Sequence, residues 1–101
     1  MKTILLCCGM GMSSGFLAVS IRKAVKRQNL NYKVIACSVA EIDQYLPVID
    51  VLLVATPFAN RINELKRKAA DYNVKVQLIP KADYSELNGT NVLRLVQNMI
   101  A

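Results

Sequence analysis

Two short runs of uninterrupted apolar residues, Ile4-Leu5-Leu6 and Val51-Leu52-Leu53-Val54, are each followed by residues with helical spacing, and this pairing constrains the fold more than any other feature. A strand that is apolar on both sides has no face to offer water, so it belongs inside a sheet covered on both faces. The stretches Tyr32 to Cys37 and Val74 to Ile79 also read as strands but are interrupted by polar residues, which assigns them to sheet edges. Helical patterns fill the intervals. One runs from about Ser14 to Gln28, with Leu17, Ile21, Ala24 and Val25 facing inward and Asn29 at its end. A capping-box pattern, Ser38-Val39-Ala40-Glu41, opens a short helix expected to stop at Pro47. Thr56-Pro57 opens another, with Phe58, Ile62, Leu65 and Ala69 as one stripe and Glu64 with Lys68 as a surface pair. A loop is expected from Pro80 to Gly89, then a last helix from about Thr90 to Ile100.

Strands alternating with helices predict one α/β domain over residues 1–101. Its core is a four-stranded open parallel sheet in the order 2-1-3-4, with helices on both faces, as in flavodoxin-like sheets. In that order the topological switch point lies between the carboxyl ends of the first and third strands, where Cys8 and Thr56 fall.

Composition removes several functional classes. The chain has no histidine, so it cannot itself carry a phosphohistidine or use imidazole as acid or base, and a zinc site is not expected. No apolar run approaches the roughly 18 residues of a membrane span, and the start is too short for a signal peptide, which predicts a cytoplasmic protein with thiols rather than disulfides. The net charge of +6 comes from cations spread over two helices, Arg22, Lys23, Lys26 and Arg27 on one and Arg61, Lys66, Arg67 and Lys68 on the other. The plain reading is solvated helix ends complementing the dipole; the functional one is attraction to an acidic partner or an anionic substrate. No basic-aromatic stripe or motif points to nucleic acid.

Chemistry concentrates in Cys8-Gly9-Met10-Gly11-Met12-Ser13-Ser14, between a strand and a helix start. Unpaired N–H groups and the positive end of the helix dipole bind phosphate-like anions there and favour thiolate over thiol. Cys8 is the nucleophile, Gly9 and Gly11 let the backbone approach a ligand, and Ser13 and Ser14 either donate hydroxyls to phosphate or cap the helix. Cys7 reads as the strand's last residue and Cys37 as structural. Small tyrosine phosphatases have a comparable loop with arginine six positions after the cysteine; here that position is Ser14, and Ser13 if counted from Cys7, so hydrolysis lacks its guanidinium clamp. A phosphoryl carrier, a phosphatase-like hydrolase and a non-catalytic anion-binding regulatory module all remain compatible with the loop. A thiol redox role is weaker, since Cys7-Cys8 lacks the spacer of Cys-x-x-Cys.

The loop from Cys8 to Ser14 resembles the Cys-x-x-Gly-Met-Ser-[Ser/Thr] loop of enzyme IIB of the bacterial phosphoenolpyruvate-dependent sugar phosphotransferase system (PTS), lactose/cellobiose type. The likeness extends over the chain through the Lys-x-Ile-Leu-Leu opening, the strand Asp50-Val51-Leu52-Leu53, and Asp83-Tyr84 before the last helix. The resemblance implies a transferase with a phosphocysteine intermediate and no cofactor or metal. Cys8 takes a phosphoryl group from a phosphohistidine of enzyme IIA and gives it to a sugar held by the membrane component IIC, a β-glucoside or β-galactoside such as cellobiose or lactose. Gly9, Met10, Gly11, Met12, Ser13 and Ser14 then form the phosphate cradle, Thr56 and Tyr84 are expected nearby, and the protein works in the cytoplasm in transient contact with the permease.

Overall fold

Strand β1 (Lys2–Cys8) is the spine of the protein, with parallel neighbours on both sides in this computed structural model, which describes residues 1–8 and 12–100. Strand β2 (Tyr32–Ser38) pairs along its whole length, from Lys2 opposite Tyr32 to Cys8 opposite Ser38. On the other side β3 (Val51–Val54) pairs from Ile4 opposite Val51 to Cys7 opposite Val54, and β4 (Lys75–Leu78) completes the sheet beyond it. The order is 2-1-3-4, all parallel, as expected from the fully apolar inner strands and polar-interrupted outer ones.

Alternation along β1 feeds two cores. Ile4 and Leu6 point to the side of helices α1 (Met12–Arg27) and α5 (Gly89–Ile100), where Leu17, Ile21, Val92, Leu93 and Val96 are buried. Leu5 and Cys7 point to the opposite side, packed with Ile42 and Leu46 and with Leu65 and Ala69 of helix α3 (Ile62–Ala70). Each fully buried aliphatic side chain contributes about 1.5–3 kcal/mol, so the two layers fix the sheet in place. At the amino ends of the strands, Asp50 ties β1 to β3: its N–H donates to the Thr3 carbonyl and its carboxylate accepts from the Thr3 N–H, both at 2.8 Å.

Four local expectations are corrected. The stretch expected as a loop after Pro80 contains helix α4 (Lys81–Ser85), because Pro80 enters at φ −54° and its carbonyl accepts the Tyr84 N–H at 3.0 Å, while Tyr84 packs on the α1/α5 core. The helix opened by Thr56-Pro57 begins as a 3₁₀ segment (Thr56–Arg61), with Phe58 at φ −110°, ψ 20°, before α3 starts. The segment opened by Ser38 is a 3₁₀ turn (Val39–Glu41), helix α2 (Ile42–Tyr45) and a second 3₁₀ turn (Leu46–Val48), so Pro47 lies inside the last turn rather than ending the helix. Glu41 accepts from the Ser38 N–H at 3.1 Å and from its hydroxyl at 3.0 Å, in keeping with the capping-box reading. Glu64 does not pair with Lys68: the fork of Arg61, one turn earlier, takes its carboxylate at 3.2 and 3.5 Å, and Lys68 reaches Asp43 at 3.4 Å. The hydrogen bond and charge of Arg61 hold the Glu64 carboxyl below its usual range.

Three helix ends turn through the left-handed region, at Asn29 (φ 54°), Asn73 (φ 57°) and Leu87 (φ 52°). In each, the next residue's N–H reaches back to an earlier carbonyl, as Leu30 does to Val25 at 3.1 Å, Val74 to Ala69 at 3.2 Å and Asn88 to Asp83 at 2.9 Å. Asparagine tolerates this conformation, whereas a leucine pays about 1–2 kcal/mol for it. Leu87 is also 39% exposed, so its side chain is not part of the core. Leu87→Asn is therefore expected to stabilise the protein by about 0.5–1 kcal/mol, measured as a higher denaturant midpoint at unchanged slope.

Candidate functional site

Hydrogen bonds align the carboxyl ends of three strands into one ledge. The Ala55 N–H donates to the Cys7 carbonyl at 3.2 Å, and the Ile79 N–H donates to the Val54 carbonyl at 2.9 Å. The Thr56 hydroxyl then donates to the Ile79 carbonyl at 3.2 Å, which ties the chain leaving β3 to the chain leaving β4. Cys8 ends β1 on this ledge, with Ser38 at the matching position of β2. In the order 2-1-3-4 this is the switch point, where the connections leaving β1 and β3 cross to opposite faces, the position at which open α/β sheets bind their ligands.

Only residues 9–11 separate Cys8 from the first residue of α1. The helix begins at Met12, two residues before the expected start, so Ser13 and Ser14 occupy its second and third positions rather than the capping position. Their N–H groups, with that of Met12, belong to the set that has no partner within the helix, and the sixteen-residue helix behind them directs its positive dipole end toward the ledge. The expectations for Gly9, Met10 and Gly11, and for the side chains of Cys8, Met12, Ser13 and Ser14, lie outside the described residues.

The other candidates separate clearly. Cys7 has no exposed surface and sits in the apolar layer beside Leu5 and Leu52; Cys37, in register with it on β2, is buried in the same layer. Thr56 stands on the ledge one residue beyond Ala55, with its hydroxyl proton directed to Ile79. Tyr84 lies on α4, which starts three residues past the end of β4, and its ring is half-buried against the α1/α5 core. Among the described residues no three His, Cys, Asp or Glu side chains come together.

Two features at this end are absent from the sequence reading. One is Ser38 beside Cys8, which required the β1/β2 register; the other is the seat of α5 on α1. There, Gly89 lies so close that its N–H donates to the Ser20 hydroxyl at 3.0 Å, holding the helix that carries the loop. The only sequence signal for it was a glycine at a helix start, which more often marks a turn.

Residues 3–95 match the family described as "PTS system, Lactose/Cellobiose specific IIB subunit". The chain belongs to this family. It is 33% identical over 104 aligned positions to the galactose-specific EIIB component of Lactococcus lactis subsp. cremoris, covering 98% of this chain and 96% of that protein. The cellobiose-specific EIIB component of Lactococcus lactis subsp. lactis matches with the same identity and coverage, 33% over 98% and 96%. Among solved structures, the lactose-specific IIB domain from Streptococcus pneumoniae superposes with a TM-score of 0.84 at 19% identity, over 97% of this chain and 95% of that one. The cellobiose-specific IIB protein from Borrelia burgdorferi gives 0.76 at 30% identity, over 96% and 89%. A mutant of YwlE from Bacillus subtilis shares the fold, with a TM-score of 0.65 at 14% identity over 96% and 99%. As a IIB component the protein is a phosphotransferase, a phosphoryl carrier in a sugar phosphotransferase system. No helix among the described residues is long and apolar enough to cross a membrane.

Proposed function

We propose that Cys8 is the residue that carries the phosphoryl group, taking it from a phosphohistidine of enzyme IIA and passing it to a sugar bound by the membrane component IIC. The position of Cys8 carries the reading: it ends the central strand at the switch point, with three residues between it and a long helix, while its neighbour Cys7 is sealed in the core. In the first transfer the Cys8 thiolate attacks phosphorus, the P–N bond of the phosphohistidine breaks, and the released imidazole keeps the electron pair and picks up a proton. In the second, a sugar hydroxyl attacks the same phosphorus, gives up its proton, and returns the cysteine as thiolate. Backbone amides of residues 9–14 and the hydroxyls of Ser13 and Ser14 hold the phosphoryl oxygens; Thr56 and Tyr84 border the site.

Both steps are in-line displacements in which holding the phosphoryl group contributes more than acid–base chemistry. That suits a chain with no histidine, which must receive the group from a partner's histidine. It also suits a loop with Ser14 where a phosphatase would carry arginine, because the phosphocysteine must survive until the sugar arrives. The sugar is a β-glucoside or β-galactoside, supported by the family and by relatives named for galactose and cellobiose. The protein acts in the cytoplasm and meets the permease transiently.

Intact-mass spectrometry tests the reading after incubation with phosphoenolpyruvate, the general phosphotransfer proteins and a lactose/cellobiose-type IIA. The expected result is one phosphoryl adduct on the wild type and none on Cys8→Ser. An adduct on both proteins would overturn the assignment of Cys8. Absence of any adduct with every IIA shown to be phosphorylated would overturn the carrier reading.

A further inference from the structure

Residues 1–40 hold six cations and no carboxylate, and the first acid of the chain, Glu41, arrives just past the end of β2 beside Cys8. Ser38 is matched to Cys8 across the β1/β2 ladder, and neighbouring strands run about 4.8 Å apart. One Glu41 oxygen, Oε1, accepts from both the Ser38 N–H at 3.1 Å and the Ser38 hydroxyl at 3.0 Å. The carboxylate is thereby held within about 10 Å of the Cys8 backbone, a separation at which salt only partly screens one charge from another. Neither ion pair among the described residues involves Glu41; they join Arg61 to Glu64 and Lys68 to Asp43. Capping the turn Val39–Glu41 accounts for the hydrogen bonds but not for the charge, because glutamine fills this place in a capping box as glutamate does.

We propose that the Glu41 carboxylate sets the phosphoryl-transfer potential of Cys8: its fixed negative charge raises the free energy of the phosphocysteine and so favours passing the group on. The inference rests on the carrier reading of Cys8. When the Cys8 sulfur bonds to phosphorus, the P–N bond of the phosphohistidine breaks and the imidazole keeps the electron pair and takes up a proton. The site then holds a phosphoryl group with close to two negative charges in place of the thiolate's one. The dipole and unpartnered amides at the start of α1 favour that anion. Favoured by these alone, in a stretch of chain that otherwise supplies only cations, the phosphocysteine is a sink rather than a carrier. A carboxylate one strand away opposes them and keeps the group transferable, and the two bonds from Ser38 hold that carboxylate in place.

The test brings a phosphorylated IIA that labels the wild type to equilibrium with the protein and reads the ratio of phosphocysteine to phosphohistidine by intact-mass spectrometry under non-acidic conditions. At concentrations where no complex accumulates, docking affects how fast this ratio is reached and not its value. Glu41→Gln keeps an acceptor oxygen for Ser38 and removes the charge. It is expected to melt within a degree or two of wild type and to shift the ratio about 3- to 10-fold toward the phosphocysteine at low salt. Glu41→Lys is expected to shift it further in the same direction, and both shifts shrink as salt is raised. The control Asp71→Asn removes an exposed carboxylate where the chain turns from α3 into β4, at the amino ends of the strands, and is expected to leave the ratio at the wild-type value. An unchanged ratio in Glu41→Gln, a shift toward the phosphohistidine, or an equal shift in Asp71→Asn would overturn the proposal. The two failures separate: a wild type that no phosphorylated IIA labels on Cys8 refutes the carrier reading itself, whereas a labelled wild type whose equilibrium ignores the charge at position 41 refutes only the role of Glu41.

Discussion

Cys8→Ser is expected to lose sugar phosphorylation by at least ~10³-fold and to keep the wild-type Tm within a degree or two. A hydroxyl near neutral pH is a poor nucleophile without a base to activate it, and the chain holds no histidine to serve as one. The residue is the last of its strand, and serine differs from cysteine only in one atom, oxygen for sulfur. Cys7→Ser is expected to do the reverse. Its side chain is fully buried in the layer formed with Leu5, Leu52 and Leu65, so a hydroxyl there costs about 1–3 kcal/mol, while transfer persists in the folded fraction. A coupled sugar-phosphorylation assay and thermal melts of the two variants check the pair. Loss of transfer in Cys7→Ser with Cys8→Ser active would reverse the assignment.

Gly89→Ala is expected to destabilise the protein strongly for a change of a single methyl group. A Cβ on Gly89 would stand 2.3 Å from the Ser20 carbonyl carbon, 2.5 Å from the Ser20 oxygen and 2.5 Å from the Ile21 nitrogen. All three are backbone atoms of α1, so no side chain can swing aside and the two helices must part. Parting them breaks the bond from the Gly89 N–H to the Ser20 hydroxyl and loosens Val92 and Leu93 from the α1 side of the core. The expected cost is about 2–3 kcal/mol, which for a domain of this size lowers Tm by roughly 10–20 °C. Because α1 supports the loop, transfer per folded molecule should fall as well. Ser20→Ala removes only the hydrogen bond and is expected to cost about 1 kcal/mol. A Gly89→Ala protein as stable as wild type would show that α5 does not seat on α1 as described.

The strand order was legible because burial writes itself into composition. Val51 to Val54 and Ile4 to Leu6 offer water nothing, and only the centre of a covered sheet accepts such strands. The placement of Cys8 follows from the same logic, since the residue after a buried apolar run before a helix falls at the switch point. What was not legible depends on tertiary distance. Helix α4 is a single turn held by Pro80 and the packing of Tyr84, too short to show a period. The partner of Glu64 turned on whether Arg61 or Lys68 came closer, and Lys68 was drawn away by Asp43 on a different helix. The kink at Phe58 and the contact at Gly89 likewise arise from what lies opposite them. Phe16 and Val19 sit in a helical pattern that predicts which residues turn inward, but whether their own face would meet a neighbour could be read only from the assembled fold.

The most direct test of the account is to locate the phosphoryl group by peptide-resolved mass spectrometry on wild-type protein trapped after transfer from phosphorylated IIA. The group is expected on Cys8, with Cys7, Ser13 and Ser14 unmodified in the same peptide. A phosphoryl group on Cys7 or on either serine would contradict it.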